Sequence, residues 1–309
     1  MDIDAITIAL FLASGVRLCV PVLLAALGEL VSERAGVFNI GLEGLMLFGA
    51  VFASIGFATT GSPVLGLGTG MLGGAIAAAI LSLVIVMARA NQIVVGIGFN
   101  LLALGVTSLL RQVFLVDAQT GSVRSVSTLR LPGLSDLPIV GRAFFSQSPV
   151  FYAAVVIAVL LWVLFKYTRL GLILRAVGEN ASAADVSGIP VLPLRTGAVI
   201  FTGLMAGLGG AYLCIVASGG VFVDHMTAGR GYLAIAIVIF ARWRPIRAVV
   251  VAFVLGCLEA LQFQGQYLGL DIAPPLLLAT PFVVALLAWV LIGKASAAPK
   301  DLGTPFMRS

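Results

Sequence analysis

Three carboxylates, an arginine and an asparagine crowd into residues 28–44, a segment that joins two long apolar runs near the N-terminus. A connection exposed to water has no reason to carry the large apolar side chains that lie among them. Its later glycines favour an interrupted helix: Gly36, Gly41 and Gly44. Such backbone is tolerated at membrane depth where protein buries it or where it lines a cavity, and transporters present it to their solutes. The alternative is a cytoplasmic turn closed by a salt bridge between Glu33 and Arg34.

A second polar segment, residues 166–194, is predicted to hold a short helix that does not cross the membrane. Asn180 is a suitable N-cap for a helix over 181–187. Gly188 suits the position after the helix end, and Pro190 prevents its continuation. Two turns are too short to span a bilayer and are marginally stable alone, so the helix needs a partner surface. The segment is either a solvated loop with helical character or a docking element for a cytoplasmic protein.

Polar side chains also occur inside the apolar runs, where they are costly and usually face the interior of the bundle. Two sets have helical spacing and so share a face: Asn100, Thr107 and Arg111, and Glu259, Gln262 and Gln266. Arg17 is alone in the first run. Each set is a functional-site hypothesis, and the alternative is a buried structural pair, for instance Arg17 with Glu43 or with Glu259.

The chain lacks the residue patterns of metal sites and of common hydrolases. His225, the only histidine, lies in the glycine-flanked junction 218–231 without a second histidine or a cysteine at ligand spacing, so no metal site is expected. The three cysteines lie singly in apolar runs and are interpreted as packing residues: Cys19, Cys214 and Cys257. A Ser-His-Asp set and an HExxH motif are missing, and so is a phosphate-binding loop, so the chain is not expected to hydrolyse a nucleotide through such a loop.

The composition indicates what kind of scaffold positions these residues. Of the 309 residues, 61% are hydrophobic and 10% are charged, with a mean hydropathy of +1.15, against about 45–50% and about 25% in soluble domains. The excess excludes a soluble enzyme, a disordered chain and a nucleic-acid-binding protein, although the net charge is +5. We predict an all-α, polytopic inner-membrane helical bundle of about nine or ten transmembrane helices, with broken or re-entrant segments.

Apolar runs define nine candidate crossings: 5–27, 42–59, 63–88, 93–115, 149–166, 195–217, 231–241 with an irregular entry from 219, 248–267 and 273–292. With the N-terminus outside, twelve of the 18 Lys and Arg residues fall on the inner side and five on the outer side. Because basic residues favour the cytoplasmic side, we predict an external N-terminus and a cytoplasmic C-terminus. Small residues spaced by four predict close helix packing: Gly66, Gly70 and Gly74, and Gly203, Gly207 and Ala211.

Two motifs resemble a known family. Residues 33–47, Glu-Arg-Ala-Gly-Val-Phe-Asn-Ile-Gly-Leu-Glu-Gly-Leu-Met-Leu, followed by Gly49-Ala50, resemble the signature of ATP-binding cassette (ABC) importer permeases. The class is the ribose and branched-chain amino-acid type, and the residues of this motif most resemble those of the shorter permease subunit of nucleoside transporters. The second motif resembles the cytoplasmic coupling segment of this class: Thr168-Arg169-Leu170-Gly171, Arg175-Ala176-Val177-Gly178-Glu179-Asn180, Ala183-Ala184 and Gly188-Ile189.

The resemblance implies a non-catalytic subunit of an importer with four kinds of part. An extracytoplasmic binding protein or lipoprotein delivers nucleosides, this chain and a longer permease form the path as a heterodimer, and ABC subunits beneath them hydrolyse ATP. ATP and Mg²⁺ are therefore expected on the partner ATPase, with no cofactor on this chain and no nucleic acid as partner. The implied location is the inner or plasma membrane of a prokaryote, in contact with lipid. The alternatives are an ABC permease for a simple sugar such as ribose or galactose, and an ion-coupled secondary transporter.

The chain is predicted to form one permease domain, 1–293, with an outer loop at 116–147, the coupling segment at 166–194 and a cytoplasmic tail at 294–309. Aromatic faces suit a nucleobase, while amides and carboxylates suit its edges and the ribose hydroxyls. The candidate substrate path comprises Phe38, Asn39, Glu43, Phe99, Asn100, Phe222 and Asp224. The candidate residues for coupling to the ATPase are Gly171, Arg175, Gly178, Glu179, Asn180, Ala183, Ala184 and Gly188.

Overall fold

The fold is almost entirely helical, as the sequence predicts. The computed structural model describes residues 5–115, 128–130, 132, 133, 135, 137, 140–267, 279–284, 286, 287 and 298–307. The described α-helices in chain order are α1 (Ala5–Arg34), α2 (Leu42–Thr60), α3 (Pro63–Ser82), α4 (Gln92–Phe114), α5 (Val140–Phe144), α6 (Pro149–Tyr167), α7 (Arg169–Glu179), α8 (Ala181–Val186), α9 (Val191–Tyr212), α10 (Arg230–Phe240) and α11 (Pro245–Tyr267). Two π-helical segments, Leu83–Met87 and Leu213–Ala217, extend α3 and α9.

Seven helical segments in the described part of the chain are long and apolar enough to cross a bilayer. They correspond to seven of the predicted crossings, and α1 continues to Arg34, beyond the expected end at residue 27. The crossing expected at 231–241 is the short helix α10, whose 11 residues rise about 17 Å and cannot span the hydrocarbon core alone. The crossing expected at 273–292 lies mostly outside the described residues. Much of the outer loop at 116–147 also lies outside them. Its described part contains α5 and an antiparallel pairing of Leu129–Arg130 with Ser146–Gln147.

The glycine strips predicted from the sequence lie where α3 packs on α9. A methyl group added at Gly74 would come within 2.6 Å of the Gly207 Cα, and one added at Gly207 would come within 2.9 Å of the Gly74 Cα. The two backbones are therefore close enough that neither position has room for a side chain, which is how small residues hold helices together in lipid.

The interruption after α1 is shorter than predicted. Residues 28–34 belong to α1, and Gly44 lies inside α2, so the non-helical part, here called the motif loop, is 35–41. Gly36 alone among its predicted breakers has a positive φ, of 84°, which favours glycine because other residues would place a Cβ against the backbone.

The short helix predicted at 181–187 is confirmed as α8, Ala181–Val186. The Asn180 side chain caps it by accepting a hydrogen bond from the Ala183 amide at 2.9 Å. Gly188 follows the helix with a φ of 82°, as the capping pattern predicts.

Replacing Gly74 with alanine should destabilise the protein by roughly 1–3 kcal/mol, because the added methyl forces α3 and α9 apart. Gly68 of the same helix is the matched control, since open space surrounds its added methyl. Gly68→Ala should leave stability unchanged or raise it by up to about 1 kcal/mol, through the higher helix propensity of alanine. Thermal melting of the two detergent-purified variants checks this, and equal melting temperatures would contradict the packing argument.

Candidate functional site

The motif loop is held in place by side chains from α1 and α4. Glu29 accepts a hydrogen bond from the backbone amide of Asn39 at 2.9 Å. Gln92, at the start of α4, accepts one from the Phe38 amide at 2.7 Å. Ser32 donates to the Val37 carbonyl at 3.2 Å. Because lipid offers no hydrogen-bonding partners, a break in a membrane helix requires such substitutes.

Glu33 and Arg34 do not form the salt bridge that was considered as an alternative for this segment. Glu33 accepts a hydrogen bond from the Trp243 indole Nε1 at 2.6 Å. Arg34 donates from Nη2 to the Trp243 carbonyl oxygen at 2.9 Å. Both residues therefore tie the end of α1 to the turn between α10 and α11.

Glu43 stabilises the start of α10 from the first turn of α2. Its Oε1 accepts hydrogen bonds from the Thr227 hydroxyl at 2.5 Å and the Gly229 amide at 2.8 Å. Its Oε2 accepts one from the Gly231 amide at 2.7 Å. The carboxylate thus supplies acceptors for amides that an isolated helix would leave unpaired, and its negative charge faces the positive end of the helix dipole.

Asn100 connects α4 to both of those elements. Its Oδ1 accepts a hydrogen bond from the Gly44 amide at 2.8 Å. Its Nδ2 donates to the Ile40 carbonyl and to the Tyr232 hydroxyl, each at 2.9 Å. The buried amide therefore joins the motif loop, α2 and α10 at one point.

The junction that enters α10 is fixed by two ion pairs. Asp224 pairs with Arg111 of α4 at 2.9 Å, and Arg230 pairs with Glu259 of α11. The proposed structural pairs of Arg17 with Glu43 or Glu259 are therefore wrong. Both carboxylates have partners in α10 or the junction before it, whereas Arg17 donates to the Ser14 hydroxyl at 3.2 Å.

The seven candidate substrate-path residues differ in how far the described part of the chain already engages them. Glu43 and Asn100 are occupied by the hydrogen bonds described above, and Phe222 is 1% exposed inside an apolar cluster. Phe38 and Phe99 are half-buried. Asn39 is 1% exposed, and neither the Oδ1 nor the Nδ2 atom of its side chain has a hydrogen-bond partner among the described residues.

A cavity of about 320 Å³ opens elsewhere, between α1, the end of α9 and α11. Its lining comprises Ser14, Arg17, Leu18, Pro21, Tyr212, Leu213, Val216, Ala217 and Ala260. None of the seven predicted path residues belongs to this lining. Two signals in the sequence could have found it, namely the lone intramembrane Arg17 and Pro21 one turn further along the same helix.

The predicted coupling segment, residues 166–194, contains α7 and α8, and it has one face against the bundle and one face exposed. Gly171, Gly178 and Ala184 are buried, and Arg175 is half-buried. Gly178 packs directly on the Arg34 carbonyl and lies beside the Gly36 amide, so it touches the motif loop. The other candidate coupling residues are exposed: Glu179, Asn180, Ala183 and Gly188. Val186 is 83% exposed beside them.

Residues 298–307, here called the tail clasp, bind the coupling segment to the motif loop. Asp301 accepts a hydrogen bond from the Ala181 amide at 2.7 Å, and its own amide donates to the Gly178 carbonyl at 2.9 Å. The Gly303 amide donates to the Gly36 carbonyl at 3.2 Å. Arg195 of α9 donates to the carbonyls of Ala35 and Thr304 at 3.1 and 2.8 Å.

Comparison with known proteins identifies the family. A family model described as the permease component of branched-chain amino acid transport systems matches residues 11–296. The chain therefore belongs to this permease family, and with its apolar helices it is a multi-pass membrane protein. No solved structure gives a significant match.

Three curated relatives match most of the chain. A guanosine ABC transporter permease protein, NupQ of Bacillus subtilis, is 37% identical over 93% of each chain. A nucleoside ABC transporter permease protein, NupC of Lactococcus lactis, is 34% identical over 98% of each chain. A putative glucose ABC transporter permease protein, TsgC13 of Haloferax volcanii, is 40% identical over 82% of this chain and 76% of its own.

Replacing Glu43 with alanine should cost about 3 kcal/mol of unfolding free energy, because three buried donors at the start of α10 lose a charged acceptor. Glu43→Gln keeps one acceptor oxygen, so its unfolding free energy should lie between those of the parent protein and Glu43→Ala. Glu179→Ala removes an exposed carboxylate and serves as the control, with an expected change near zero. Melting temperatures in detergent would decide, and a stable Glu43→Ala protein would contradict a capping role.

Proposed function

We propose that this chain is the permease subunit of an ATP-driven importer of nucleosides. The observation that best supports this proposal is the match to two permeases whose names specify guanosine or nucleosides, along at least 93% of each chain. The family consists of transporter subunits rather than enzymes, so ATP and Mg²⁺ would bind the partner ATPase. This chain would supply part of the path through the membrane and bind no cofactor.

The partners follow from this assignment. An ABC ATPase would bind the cytoplasmic face, a longer permease would complete the path as a heterodimer, and an extracytoplasmic binding protein would deliver solute. The excess of basic residues in the predicted inner loops supports an external N-terminus in a prokaryotic inner membrane. In this orientation the coupling segment faces the ATPase.

The exposed face of the coupling segment supports its role as the ATPase contact. Glu179, Asn180 and Ala183 are solvent-exposed next to the apolar Val186. A short helix that keeps an apolar side chain in water suits a groove on a partner protein. The opposite face contacts the motif loop through Gly178, so a displacement of α8 would reach α1 and α2 directly.

A sugar is the second candidate substrate. The relative from Haloferax volcanii, named as a putative glucose permease, has the higher identity of 40%. A nucleoside and a sugar both carry a ring with hydroxyl groups, so the family fold by itself does not separate them. An ion-coupled secondary transporter, the alternative of another class, would not need the partner ATPase at all.

Reconstitution tests the proposal. The complete transporter, with its ATPase, second permease and binding protein, is placed in vesicles, and uptake of labelled guanosine, ribose and glucose is measured with and without ATP. Guanosine should accumulate only when ATP is present. ATP-dependent uptake of a sugar in place of guanosine would overturn the substrate, and uptake that responds to an ion gradient but not to ATP would overturn the mechanism.

Asp301→Ala should uncouple ATP hydrolysis from transport, because it removes the side chain that holds the first turn of α8. We expect guanosine uptake to fall several-fold per ATP hydrolysed, with basal ATP hydrolysis retained. Ser182→Ala, at an exposed position of the same helix, is the control and should leave the ratio unchanged. An Asp301→Ala transporter with the parental ratio of uptake to hydrolysis would exclude this role for the tail clasp.

A further inference from the structure

The cavity beside Arg17 lies near the middle of the long apolar helix α1. Arg17 is within one turn of the midpoint of α1, Ala5–Arg34. An arginine at this depth is costly unless it faces the protein interior or a water-filled space. Here it lines a cavity of about 320 Å³, which is at the lower end of the roughly 300–1,000 Å³ typical of small-molecule sites.

Two interruptions of regular helix border the same cavity. Pro21 has no amide hydrogen, so the Arg17 carbonyl, four residues earlier, receives no hydrogen bond from that position. Across the cavity, residues Leu213–Ala217 form a π-helical segment, a departure that is frequent at functional sites. Broken helices near the midplane are where transporters place solute contacts. Two helix irregularities and one charged side chain therefore meet at one space.

Most N–H donors of the Arg17 guanidinium make no hydrogen bond to the described residues. Among the described residues it makes one side-chain hydrogen bond, to the Ser14 hydroxyl at 3.2 Å, and a guanidinium carries five N–H donors. No carboxylate belongs to the described lining, which is otherwise apolar or hydroxylic. A ligand here would meet the forked guanidinium donor together with the apolar lining residues Leu18, Leu213 and Val216.

We propose that this cavity binds the nucleobase of the transported solute and prefers 6-oxopurine nucleosides such as guanosine. The inference rests on the proposed nucleoside function. A guanidinium pairs with two adjacent acceptors, and guanine presents O6 and N7 side by side. Adenine presents an N6 amino donor next to N7, which a donor-only group matches poorly. The apolar walls would receive the faces of the base.

Arg17→Gln tests the preference, because glutamine binds adenine N6 and N7 in the bidentate fashion that arginine uses for guanine. In the complete reconstituted transporter, guanosine uptake at low concentration should fall about tenfold or more, while adenosine uptake is maintained or rises. An equal loss for both nucleosides would reduce Arg17 to a structural role, and unchanged guanosine uptake would remove it from the site. Either result overturns the proposal.

Filling the cavity gives a second test that does not alter Arg17. Ala217 is an exposed lining residue, so Ala217→Trp occupies the space without displacing a buried side chain. Guanosine uptake should be abolished, with assembly and basal ATP hydrolysis retained. Ala153→Trp, at an exposed position of α6, is the matched control. Equal uptake by the two tryptophan variants would count against a site here.

Binding can also be read without transport. A cysteine introduced as Ala217→Cys should react with a membrane-permeant thiol reagent, and guanosine should slow that reaction in the purified complex. The parent chain, which keeps Cys19, Cys214 and Cys257, gives the background. Protection by glucose but not by guanosine would overturn the assignment of the site. Failure of the parental transporter to take up any nucleoside would instead refute the proposed function.

Discussion

The architecture depends on one constraint: a polypeptide that stops being helical inside the membrane region must satisfy its free amides and carbonyls without water. The motif loop meets this constraint with buried side chains from its neighbours. Glu29 and Gln92 each accept from a loop amide, and Asn100 donates to the Ile40 carbonyl. Glu43 does the same for the start of α10. These buried polar side chains thus form a scaffold that makes two helix breaks possible.

This use of buried polar side chains changes where solute recognition should be sought. A carboxylate that already accepts three hydrogen bonds, as Glu43 does, has little capacity left for a ligand, and displacing those bonds would leave buried donors unpaired. Asn100 is engaged at both ends of its amide. A group with unused donors beside open space, such as Arg17, is better placed to bind and release a solute repeatedly.

Local patterns in the sequence predict local structure well here. Hydropathy locates the long helices, the cap at Asn180 locates α8, and the spacing of Gly74 and Gly207 predicts a close helix contact. The site is harder to predict because its contacts join distant positions. Glu43 meets residues more than 180 positions away, and no periodicity encodes that pairing. The same reason explains the wrong pairing of Arg17: charge and burial indicate that a carboxylate needs a partner, but the fold decides which one.

The arrangement of these contacts also explains how one helix, α1, could connect the coupling segment with the cavity beside Arg17. The tail clasp and Gly178 attach the coupling segment to the motif loop, and the loop is the direct continuation of α1. Near its middle, α1 carries Arg17 and Pro21 into the cavity. A straight helix would pass a displacement along as a rigid body, whereas the missing hydrogen bond at Pro21 allows a bend there. A push on α8 would therefore change the angle between the two halves of α1, and with it the shape of the space beside Arg17.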